Sequence, residues 1–102
     1  MIRQIVKEMR DFAIKNPYDP NKLFPITKDY SRAFEYKNYK LNLVFSLTSM
    51  ENISFWQLSI NNIPLLPKDL LDEIANYFFP DGFSSEFELG QTHQYAKLLD
   101  NN

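Results

Sequence analysis

There is no cysteine in this 102-residue chain, which removes disulfides, thiolate zinc sites and cysteine nucleophiles together. A reducing compartment suits such a chain, and the cytoplasm is the expectation. Glycine is scarce as well, with only Gly82 and Gly90. Loops that cradle phosphate need two or three closely spaced glycines, because the backbone must approach the anion. Nucleotide sites of the common kinds are thereby excluded. His93 is the single histidine, so no His–His metal pair can be built. No apolar run reaches the roughly 18 residues that span a bilayer. The start, Met1-Ile2-Arg3-Gln4, goes on to mix charged with apolar residues, unlike a secretory leader. Neither a membrane nor a cofactor is expected.

What the chain does have is aromatic mass. Nine Phe, six Tyr and one Trp make 16% of it, and apolar residues make 44%. Side chains of that size let a small chain bury a core without covalent staples, and the length suits a single domain, 1–102. The net charge of −2 is unevenly spread. Residues 1–40 hold nine Lys/Arg against five Asp/Glu, and residues 41–102 hold two against eight. That is not the strongly basic surface of a general polyanion binder.

Ile2, Ile5, Val6, Met9, Phe12 and Ala13 recur at helical spacing, and Asn16-Pro17 stops the pattern, since the residue before proline is driven out of the helical region. The spacing predicts a helix over 2–15. Residues 16–29, with Pro17, Pro20 and Pro25, read as an ordered loop. An antiparallel meander follows from about Tyr30 to Ile60. Lys37-Asn38 reads as a two-residue hairpin turn, which pairs Glu35 with Lys40 and Phe34 with Leu41. Opposite charges on one face and apolar partners on the other are what a correct register gives. If Ser49 to Asn52 forms the next turn, Phe45 meets Trp56 and Leu43 meets Leu58. Val44, Ile53 and Phe55 then point away from the main core as a second apolar strip. The C-terminal segment, through Tyr95, Leu98 and Leu99, could cover it; left open, it reads as a contact surface.

Pro67 opens a second helix reaching about Phe79, with Asp69, Asp72 and Glu73 near its electropositive start. Phe83, Ser85, Phe87 and Leu89 alternate with Ser84, Glu86 and Glu88, a fourth strand with the glutamates outward. A short last helix is expected from about Thr92 to Leu99. The expected fold is α+β: a three- or four-stranded antiparallel meander with helices mainly on one face, in the order α-β-β-β-α-β-α.

Chemistry finds little support in these residues. His93 lies in the polar stretch Gln91-Thr92-His93-Gln94, without the strained nucleophile turn that would give it work. An exposed or capping histidine is the expectation. The carboxylates lack calcium-loop spacing. No catalytic residue and no metal ligand is assigned, and the chain is expected not to be an enzyme. Arg32, Lys37 and Lys40 lie among Tyr30, Tyr36 and Tyr39, the mixture of cations and rings that holds single strands. The acidic balance and Glu35 weigh against it.

The run from Trp56 to Pro80, with Leu58-Ser59-Ile60, a proline-led helix carrying Asp72-Glu73, and Phe78-Phe79-Pro80, resembles a family of small uncharacterised proteins encoded by bacteriophages. Lys68 stands where that family tends to carry an aromatic residue. Its His-Leu-Trp-like ending is reduced to His93 followed by Leu98-Leu99. The resemblance implies a mobile-element origin and no particular activity. The expected element order, with an acidic surface, is also similar to small bacterial secretion chaperones, which bind an extended client and commonly dimerise. The expectation is therefore a non-enzymatic protein-binding module, of inhibitor, immunity or chaperone type. It would bind another protein or a second copy of itself through Val44, Ile53 and Phe55 or through a sheet edge. The alternative is a single-stranded nucleic-acid binder using Arg32, Lys37 and Lys40.

Overall fold

The computed structural model describes residues 2–15, 26–36, 38–50, 53–63 and 66–99. Helix α1 (Ile2–Lys15) has the predicted limits. Its apolar stripe buries Val6, Met9 and Ala13, while Phe12 stays 56% exposed and meets the Tyr30 ring edge-on at 5.0 Å. Three strands follow: β1 (Ile26–Tyr36), β2 (Tyr39–Met50) and β3 (Ile53–Ile63). The meander is thus longer at both ends than the expected Tyr30–Ile60. The proline loop begins outside the described residues, and its expected end at 26–29 belongs to β1.

The first hairpin has the expected register, with Glu35 opposite Lys40 and Phe34 opposite Leu41. Asn38 takes the positive φ, 71°, that such a turn demands. The second hairpin is shifted by two residues. Met50 pairs with Ile53, Phe45 with Leu58 and Leu43 with Ile60, so both strands continue into the expected four-residue turn, of which Glu51 and Asn52 lie outside the described residues. A shift of two keeps every side chain on its face, because strand side chains alternate with period two. Phe45 and Trp56 still meet as diagonal neighbours, stacked at 4.5 Å and 6°.

Helix α2 (Lys68–Phe78) starts from Pro67, whose carbonyl accepts from the Leu70 and Leu71 N–H groups at 3.1 Å. Its end is closed by Phe79 N–H on the Ala75 carbonyl and Gly82 N–H on the Phe79 carbonyl, with Gly82 at φ 102°. Strands β4 (Ser85–Leu89) and β5 (Thr92–Leu99) complete the chain. The expected C-terminal helix is therefore a strand. It inserts beside β3, giving one five-stranded antiparallel sheet in the order β1-β2-β3-β5-β4. The chain can reverse into β5 because Gly90, at φ 61°, begins a two-residue Gly90-Gln91 turn, which suits a Gly-led hairpin.

Both helices lie on the same face of the sheet. Val6, Met9, Leu71, Ile74 and Phe78 pack there with Leu43, Phe45, Leu58, Ile60 and Tyr95. Among the described residues no helix covers the other face.

Candidate functional site

The helix-free face is built from alternate residues of every strand. Following the pairings outward, β3 contributes Ile53, Phe55, Gln57, Ser59 and Asn61; β5 contributes Thr92, Gln94, Ala96 and Leu98; β4 contributes Ser85, Phe87 and Leu89. None of these twelve carries a charge, in a chain that is 24% charged. Protein surfaces normally intersperse both signs. The charges on this face, Asp29, Glu35 and Lys40, all stand on β1 and β2. Within the uncharged part, Phe55 is directly opposite Leu98. Ile53, Phe87, Leu98 and Leu89 are 53%, 53%, 59% and 74% exposed. Gln57 and Gln94 satisfy each other through a 3.0 Å hydrogen bond between them.

The three residues expected to form one strip are placed unevenly. Ile53 and Phe55 lie in the uncharged region. Val44 is half-buried opposite Ser59 and Ser31, four residues along from Phe55's partner Thr48, or about 13 Å at strand rise. Among the described residues, the C-terminal segment does not cover the strip. Its Tyr95 and Leu99 face the helices, and its Leu98 adds to the surface. Strand β4 is also turned over relative to expectation: Phe87 and Leu89 face away from the helices, and Glu86 faces α2. Pairing with β5 decides this, since the partners of His93 and Tyr95 must share their face.

Under the α2 N-terminus lies a polar network that local reading missed. Lys68 Nζ donates to Asp72 at 2.8 Å and to Glu86 at 3.0 Å. Tyr95 Oη donates to Asp72 Oδ1 at 2.8 Å. Glu86 also makes a longer, 3.4 Å contact with His93 Nε2. The Lys68 hydrogen bond outweighs burial and, with the Tyr95 bond, holds the Asp72 carboxyl below its usual range. Burial first, and the bond to Asp72 second, push the Tyr95 phenol far above its ordinary value. His93 is 4% exposed, not exposed or capping, and among the described residues its Nδ1 has no hydrogen-bond partner. The network ties α2 to the β4–β5 hairpin. The signal for Lys68 and Asp72 is their spacing, four apart at a helix start, which the sequence reading did not use; Glu86, His93 and Tyr95 join them only through long-range pairing. Among the described residues no three His, Asp or Glu side chains converge as a metal site, and no helix is long and apolar enough to cross a membrane.

The basic hairpin residues separate. Arg32 is on the helix side, bound to Glu8 at 3.0 Å, and Lys40 is on the opposite face. Lys37 lies outside the described residues. Tyr30 is buried and Tyr39 packs against the core. No protein-family model matches the chain, and no curated protein or solved structure is detectably similar to it.

Proposed function

We propose that this chain is a non-enzymatic interaction protein, of inhibitor, immunity or chaperone type, acting in the cytoplasm through its helix-free sheet face. The observation that supports this reading is the Phe55–Leu98 pair, flanked by Ile53 and standing in a region without a single charge. Exposed apolar side chains gathered on one face usually belong to a contact. Burying each fully is worth about 1.5–3 kcal/mol.

The first partner is a second copy of the chain. In a two-fold contact each residue near the axis meets its own mate, so any charge there would oppose itself. A face without charges meets that condition. It offers a differently charged protein no complementary group for steering. The basic hairpin supports the nucleic-acid alternative less well, because Arg32 and Lys40 do not share a face.

Sedimentation equilibrium over a micromolar range tests the reading, with Leu98→Glu and Phe87→Glu beside the parent chain. The expected result is a dimer that both variants dissociate, with unchanged circular dichroism. A parent chain that stays monomeric throughout, or variants that dimerise as it does, would overturn it.

A further inference from the structure

On the helix side, a cavity of about 160 Å³ opens between Arg10 of α1, the turn after α2 and the β2–β3–β5 part of the sheet. Phe45, Trp56, Phe78 and Phe79 line it. Phe45 and Trp56 are stacked at 4.5 Å, and Phe78 leans on Phe45 at 4.7 Å. Phe45, Phe78 and Phe79 are buried in the core, but Trp56 is only half-buried.

Two half-buried cations, Arg10 and Lys97, also line the cavity. Arg10 donates to the Tyr77 carbonyl at 3.3 Å. Among the described residues neither cation has a carboxylate within ion-pair distance. Asp81 lines the cavity too, on the exposed turn, and leaves the three charges at net +1. Partly desolvated cations without a counter-ion are what an anion site presents before its ligand arrives. A dry cavity of about 150 Å³ accommodates a benzene ring, and aromatic walls favour offset or edge-on packing of another ring.

We propose that this cavity binds an aromatic carboxylate, its ring against Phe45 and Trp56 and its anionic end met by Arg10 and Lys97. The same chemistry occurs in a free small acid and in a peptide ending in phenylalanine. Neither source depends on the helix-free face.

Trp56 is the only tryptophan, so its fluorescence reports on the cavity. The full chain is titrated with phenylacetate, with the neutral phenylacetamide, and with short peptides ending in phenylalanine as free acid or amide. Calorimetry runs in parallel. The expected result is saturable binding of at least one free acid, weakened about tenfold for its amide and for Lys97→Gln. Binding of phenylacetate alone supports a small-molecule ligand, and binding of the peptide alone supports a chain terminus. Absence of both heat and fluorescence change with every acid, or equal binding of acid and amide, would overturn the proposal.

Discussion

Tyr95 on β5 and Asp72 on α2 are joined by a 2.8 Å hydrogen bond in which the phenol donates to the carboxylate. The two residues are separated by the whole β4 excursion, yet the phenol is fully buried, and among the described residues Asp72 is its hydrogen-bond partner. Its loss leaves the Asp72 carboxylate with Lys68, so the cost is a hydrogen bond to a charged group rather than a stranded charge. Tyr95→Phe should destabilise the fold by about 1–2 kcal/mol. Urea denaturation checks it, with a lower midpoint and an unchanged slope as the expected signature.

The same bond sets a pH dependence. The folded state raises the Tyr95 phenol above its ordinary 10.0, first through burial and then through Asp72. Lys68 is also raised, from 10.5, by hydrogen bonds to Asp72 and Glu86. In both cases the folded chain holds a proton that the unfolded chain releases. The stabilisation is complete below about pH 10 and is lost as pH rises further. Asp72 works in the opposite sense: its carboxyl is lowered from 3.8, so its contribution is present above that value and lost below it. Melting temperatures should fall at both extremes. Tyr95→Phe should flatten the alkaline fall without abolishing it, because burial raises the Tyr30 phenol as well.

These residues also mark how far sequence reasoning reached. The first hairpin was legible because its turn, its Glu35–Lys40 pair and its Phe34–Leu41 pair agree on one register. The second was legible in its faces and misplaced by two residues in its pairing, since alternation fixes faces and only the turn length fixes the offset. Tyr95, Leu98 and Leu99 fit a helical stripe as well as they fit a strand. What decided between them was a place for β5 beside β3, which no local pattern carries. The uncharged face was hidden for the same reason. Its residues come from β3, β5 and β4, and they become neighbours only when β5 inserts. The aromatic cavity likewise gathers Arg10, Trp56, Phe79 and Lys97 from four distant segments.

The turn that reverses the chain into β5 should be sensitive to side-chain chemistry in a specific way. Gly90 has φ 61°, and a Cβ there would meet nothing within 4 Å. Space is therefore not limiting; backbone conformation is. Gly90→Val should cost about 1–2 kcal/mol, because a branched L-residue is strained in the left-handed region. Gly90→Asn should cost less, since asparagine tolerates that region, as Asn38 already does at φ 71°. Thermal melts of the two variants check the ranking. Equal losses would point to packing at the turn rather than to φ.

The assignment of faces can be tested with one residue type. Leu58 and Leu98 lie on adjacent strands, β3 and β5, with Leu58 paired to Tyr95 on the helix side and Leu98 paired to Phe55 on the other. Leu58 is 0% exposed and Leu98 is 59% exposed. Leu58→Ala removes buried methyl groups and leaves a cavity among Leu43, Ile60 and Tyr95, at about 2–5 kcal/mol. Leu98→Ala removes groups already in water. At dilution, where no second copy covers the face, it should change stability by less than about 0.5 kcal/mol. Repeating both measurements at high concentration separates folding from association. The Leu58→Ala loss should persist, whereas a concentration-dependent loss should emerge for Leu98→Ala, because a partner that binds only the folded chain stabilises it by mass action.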